Sequence, residues 1–133
     1  MKFKYLPHTA DIKFQAFGKT LDQTFENAAL ATFQAMYKNK IKEKIKKTIK
    51  VTGIDKESLL YNFLEELIFL LDTEGFFLAD IKVKITNLTL TATIKGDKAE
   101  NYNIGLDVKA ITYNEMFIKK QKDQFILQVV LDV

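Results

Sequence analysis

Three short stretches of this 133-residue chain hold the side chains best suited to chemistry. "HTAD" places the only histidine, His8, three residues before Asp11, just after the only proline, Pro7. "VVLDV" places Asp132 behind a strongly apolar run and before Val133. "VKAITYN" sets Lys109 among apolar residues, with Thr112 and Tyr113 close behind. Aspartate is a poor strand residue, yet Asp11 stands where a strand begins. The plain reading of "HTAD" is a turn whose Asp satisfies local N–H groups. The plain reading of Asp132 is a charge at the rim of a sheet, and of Lys109 a solvent-facing strand lysine. The functional reading is that Asp11 and Asp132 meet. Two carboxylates held close repel each other, and a hard divalent cation relieves that repulsion. Spacing alone does not bring them together.

The residues that are missing narrow the chemistry. With one His and no Cys, a zinc site within one chain is nearly excluded. Any bound metal is held by oxygen, which means Ca²⁺, Mg²⁺ or Mn²⁺. A nucleophile–histidine pair has only His8 to use. No phosphate-binding glycine loop, nucleophile elbow, HExxH or EF-hand loop is present. All 20 basic residues are lysine, so the bidentate arginine contacts that read guanine are unavailable. Seven of the lysines fall between residues 38 and 50; they read as a solvated face ahead of a polyanion patch, because no aromatics are interleaved to stack bases.

These residues must be positioned by a compact fold. A composition of 47% hydrophobic and 28% charged residues is that of a folded chain with a real core. Residues 1–133 read as a single domain with no linker. No apolar run is long enough to span a membrane, the N-terminal residues do not resemble a signal peptide, and the lack of cysteine fits a reducing compartment. The expectation is a cytoplasmic protein with no membrane partner.

Period-two alternation predicts strands in "KFKYL", in "DIKFQAFG" with Ile12, Phe14 and Ala16 on one face, and in "KKTIKVTG" with Ile49 and Val51 inward. Thr20 reads as an N-cap, with Gln23 completing a capping box, for a helix whose apolar face runs from Leu21 to Met36. Asp55 caps a second helix, which ends at Gly75. This second helix is the greasier and is expected to be the more buried. "FFLADIKVKIT" and "LTLTATIKG" read as a hairpin turning at Asn87, "GDKAENYNIG" as a polar loop, and "LDVKAITYNEMFIKK" and "QFILQVVLDV" as the last strands. The outline is α+β: two helices packed on mainly antiparallel sheet.

Read together, these stretches resemble the archease family. "HTADIKFQAFGKTLDQTFENAALATFQAM", "ESLLYNFLEELIFLLDTEGF", "VKAITYNEMFI" and "VVLDV" match its motifs in order, from about Tyr5 to Val133. The resemblance implies an archease-like α+β domain that is not itself an enzyme. It implies an accessory protein of the GTP-dependent tRNA-splicing ligase, one that promotes guanylylation and multiple turnover and meets tRNA only through the ligase. It also implies that Asp11 and Asp132 bind a divalent cation, Ca²⁺ by preference, that Val133 adds a main-chain oxygen, and that Lys109 contacts the ligase or a nucleotide. His8 is then structural, or orients a carboxylate from behind. The chain departs from the family pattern in Pro7, where an acid is common, in Asn114, where a His is common, and in the lysines of 38–50, which replace acidic residues. Two other readings compete: a metal-dependent phosphoesterase acting alone, and a lysine-rich RNA-binding module.

Overall fold

The computed structural model describes residues 1–133. Nine strands and helices follow in the order β1 (Phe3–Leu6), β2 (Ile12–Gly18), α1 (Leu21–Met36), β3 (Ile45–Thr52), α2 (Lys56–Glu74), β4 (Phe76–Thr86), β5 (Thr89–Lys98), β6 (Ala110–Gln121) and β7 (Gln124–Asp132). Every strand pair is antiparallel. The strands form two sheets, a four-stranded one ordered β1-β2-β7-β6 and a three-stranded one ordered β3-β5-β4. The α+β expectation holds, with two sheets in place of one.

Local signals set the helix ends. Thr20 accepts the Gln23 N–H at 3.1 Å, but the Gln23 side chain accepts from the Lys19 N–H, not that of Thr20, so the expected capping box is displaced by one residue. At α2 the box is complete: Asp55 accepts from the Ser58 N–H at 2.7 Å and Ser58 Oγ accepts from the Asp55 N–H. Gly75 ends α2 at φ 68°, a left-handed conformation that costs glycine little.

Both helices bridge the two sheets: α1 packs on β2 and β4, and α2 on β6 and β3. Phe25 stacks on Phe63 at 5.8 Å where the helices meet, and Phe33 meets Phe77 edge-on at 5.0 Å. One cluster of 30 buried residues results. Each large side chain removed from water contributes about 1.5–3 kcal/mol. The order of burial reverses the expectation: α1 buries 8 of 16 residues and α2 only 7 of 19. The apolar surplus of α2 is partly spent on solvent, since Phe69 is 57% exposed.

Polar groups from α1 fasten strand edges. Glu26 accepts the Val83 N–H at 2.8 Å and Asp22 accepts the Ile85 N–H at 3.2 Å, so two carboxylates occupy the open edge of β4, blunting it against pairing with another chain. The Tyr5 hydroxyl donates to the Ala31 carbonyl at 2.7 Å, tying edge strand β1 to the helix.

Candidate functional site

The site grows from the way β7 sits between β2 and β6. In the β2–β7 ladder Ile12 faces Leu131; one step further, the register sets position 11 opposite position 132. On the other side Ala110 faces Asp132, and the Lys109 N–H donates to the Asp132 carbonyl at 2.8 Å. The three stretches that drew attention in the sequence therefore converge at one end of the four-stranded sheet.

The turn that delivers Asp11 is strained. Ala10 has φ 65°, a left-handed conformation costing about 1–2 kcal/mol for a residue with a Cβ. This swings "HTAD" back over the sheet. His8 Nε2 lies 3.0 Å from Glu115 Oε2; a carboxylate only accepts, so Nε2 carries the proton. His8 Nδ1 is buried without a hydrogen-bond partner and lies 3.7 Å from Asp11 Oδ2. The ring thus stands between two carboxylates, Asp11 and Glu115. Lys13 Nζ adds a contact of 3.1 Å to the other Glu115 oxygen. Hydrogen bonds from Lys13 and His8 hold the Glu115 carboxyl below its ordinary range.

Glu115 was not marked by the sequence reading. It reaches the site because β6 bulges: its pairing with β7 shifts between Thr112 and Phe117, and Glu115 sits at φ 56°. The bulge is held from below. Gln15 donates to Gln128 at 3.0 Å, and Gln128 donates to the Glu115 carbonyl at 2.8 Å. The available signal was the polar run Thr112–Glu115 inside a strand otherwise rich in apolar residues.

The donor set suits a hard cation in kind. Asp11 and Asp132 would supply carboxylate oxygen to such an ion, and Val133 a main-chain oxygen. No three acidic or histidine side chains converge as a metal-binding group. Two carboxylates alone leave a Ca²⁺ shell of about 6–8 oxygens to be completed by main chain, water or a partner. His8, hydrogen-bonded through Nε2 to Glu115, anchors the turn that carries Asp11.

Lys109 belongs to the site by its backbone, but it lines a different space. It borders an open cavity of about 700 Å³ together with Lys50, Asn62, Glu65, Glu66, Phe69 and Asp72. His8, Asp11 and Asp132 do not line it. Neither Lys109 nor Asp132 takes part in an ion pair. Beside this cavity Tyr61 of α2 stacks face to face on Tyr113 of β6 at 4.3 Å, pinning the "ITY" segment to the helix.

Comparison with known proteins bears on this arrangement. The family described as the archease protein family matches residues 3–133. The chain is similar to Protein archease of Pyrococcus furiosus, 40% identical over 140 residues and covering 99% of each chain. It is likewise similar to Protein archease of Sulfurisphaera tokodaii, 37% identical over 137 residues and again 99% of each. Among solved structures, protein 1598 of Methanobacterium thermoautotrophicum superposes with a TM-score of 0.87 at 36% identity, covering 99% of both chains. An archease of Thermotoga maritima described as a possible chaperone gives a TM-score of 0.70 at 20% identity over 98% of this chain and 96% of that one, a likeness of fold alone. Matched along nearly its whole length by that family and by relatives of its own size, the chain belongs to the archease family.

Proposed function

We propose that this protein is a cytoplasmic accessory factor, without catalysis of its own, that activates a GTP-dependent tRNA-splicing ligase. It promotes guanylylation of the ligase and repeated turnover, and meets tRNA through that partner. The observation that carries the reading is the β2–β7–β6 register, which sets Asp11 across from Asp132 with the Lys109 amide on the Asp132 carbonyl. Membership of the archease family supports it.

In this reading Asp11, Asp132 and the Val133 main-chain oxygen hold a divalent cation, Ca²⁺ by preference. Bound there, such an ion supplies positive charge for phosphate oxygens during nucleotidyl transfer. The chain's own residues do the positioning. His8 and Glu115 fix the turn that carries Asp11. The β6 bulge, tied through Gln128, keeps Glu115 aimed at His8. Lys109, free of any intramolecular ion pair, offers a cation to the ligase or to a nucleotide phosphate.

The test is guanylylation of a cognate ligase by GTP, with and without the protein. The wild type raises the rate, while Asp11→Ala and Asp132→Ala each lose at least about tenfold of the stimulation. A ligase indifferent to the protein, or stimulated by either variant as strongly as by the wild type, contradicts the proposal.

A further inference from the structure

The outer face of the three-stranded sheet has no part in the site above, and its composition is unusual. Alternate positions from 46 to 52 of β3, 89 to 95 of β5 and 80 to 86 of β4 stand in register on that side. None of the twelve is buried. Five are lysine (Lys46, Lys50, Lys82, Lys84 and Lys95), one is Asp80, and the other six are threonine. No apolar residue interrupts them. Five lysines against one aspartate leave a surplus of four positive charges, more than the +3 of the whole chain.

Fold stability does not explain this. Lysine at an exposed edge discourages sheet-to-sheet pairing, but Lys95 lies on the central strand, directly opposite Lys46. Like charges facing each other across a ladder are destabilising. Counter-charges are few. Asp80, the single acid on the face, stands opposite Lys95 from β4, and Glu43 reaches Lys95 only at 3.9 Å, which leaves the other four lysines of the face without a counter-charge on it. The inward-turned lysine of β3, Lys47, by contrast has a partner in Glu74 at 2.7 Å.

We infer that this face binds the sugar–phosphate backbone of a nucleic acid without reading its bases. Strand spacing and rise make the surface roughly 10 Å wide and 20 Å long, enough to meet several phosphates along one side of a duplex. Lysines supply charge, and threonine hydroxyls between them supply hydrogen bonds to phosphate oxygens. With no arginine in the chain and no aromatic side chain on the face, neither guanine readout nor base stacking is available. Lys50 also lines the cavity of Lys109, so the face runs up to the second part of the candidate site. Only Lys46 and Lys50 of the lysine-rich run 38–50 belong to it; the other three lysines come from β4 and β5. The inference does not depend on the ligase reading and is tested on the protein alone.

The experiment is fluorescence anisotropy of a labelled 20-base-pair RNA duplex, and of a DNA duplex of the same sequence, over a series of salt concentrations. The two arms identify which nucleic acid is preferred. The triple variant Lys46→Gln, Lys82→Gln, Lys95→Gln lowers the slope of log affinity against log salt by about 2–3, and weakens binding about tenfold or more near 0.1 M salt. An equal charge change on the β6–β7 hairpin, Lys119→Gln, Lys120→Gln, Lys122→Gln, leaves both unchanged. A Lys→Arg version of the first triple retains binding, which separates lost charge from lost fold. Absence of salt-dependent binding by the wild type overturns the inference. So does equal weakening by the two glutamine triples. Polyglutamate bound as tightly as either duplex would assign the face to an acidic protein surface instead.

Discussion

The two sheets are built from similar antiparallel strands yet present different chemistry. In the three-stranded sheet β3 and β5 pair from Ile45–Gly96 to Thr52–Thr89 without a shift, and β4 shifts only near its start, between Leu78 and Asp80. Its outer side therefore repeats lysine and threonine at even intervals. The four-stranded sheet is broken where it matters. Ala10 and Glu115 both take left-handed conformations, one delivering Asp11 and the other meeting His8. A regular ladder yields a surface of repeated weak contacts, suited to an extended polyanion. Interrupted strands instead bring a few polar side chains, His8, Asp11, Lys13 and Glu115, together at one end of the sheet. Strain is tolerated where the surrounding hydrogen bonds, such as Gln15–Gln128–Glu115, hold it in place.

The contrast can be broken most severely in the regular sheet. At Gly96 an added Cβ strikes the Phe77 carbonyl oxygen and comes within 2.9 Å of Phe76 Cζ. Neither neighbour is free to move, so Gly96→Ala costs about 3 kcal/mol or more in chemical denaturation. Removing lysines from the outer side of the same sheet leaves its stability unchanged or slightly raised. On the irregular sheet, Tyr5→Phe removes the bond to Ala31 and costs about 1 kcal/mol at neutral pH. Burial pushes the Tyr5 hydroxyl up to about 12 from its ordinary 10.0. Between those values the folded protein keeps a proton that the unfolded chain has lost, so stability falls as pH rises from 10 towards 12. The phenylalanine variant lacks that fall in an alkaline denaturation series.

Gly75→Ala tests a position governed by backbone conformation alone: nothing lies within 4 Å, but φ is +68°, and the expected loss is about 1 kcal/mol in melting experiments. The smallest effect is at Glu115. Its carboxyl is held below the ordinary 4.5, so the contribution is full above pH 4.5 and lost on acidification below it. Glu115→Gln therefore loses its small stabilisation at pH 7 and converges with the wild type on acidification, which flattens the acid limb of the stability curve. If the irregular sheet instead proved indifferent to Tyr5 and Glu115, its breaks would be incidental to the site.

Much of the fold was legible because the signals were local. Asn87 does turn the β4–β5 hairpin, at φ 54°; Thr20 and Asp55 cap their helices and Gly75 ends the second. The family resemblance drawn from four motifs was likewise sound. What failed depended on distant contacts. Apolar content alone made α2 look the more buried helix, but burial depends on what lies opposite, and Phe69 has no neighbour to cover it. Asp97 read as part of a polar loop, yet it lies within β5 and is 4% exposed. There it accepts from the Tyr102 hydroxyl, which holds its carboxyl below the usual range, and from the Lys98 amide and Asn101. β6 begins at Ala110 and not at Leu106. Glu115 and Lys13 joined the candidate site only through a bulge, and alternation gives no warning of a bulge. Asp11, Asp132, Lys109 and His8 were marked in advance, but the separation of Lys109 from the carboxylates depends on where α2 packs.

Whether positions 11 and 132 share one divalent ion is the claim on which the functional reading rests. Calorimetric titration of the protein with Ca²⁺ tests it most directly. The account predicts one site per chain, lost in Asp11→Asn and lost again in Asp132→Asn, but retained in Lys109→Gln. Binding that survives both aspartate substitutions would contradict it.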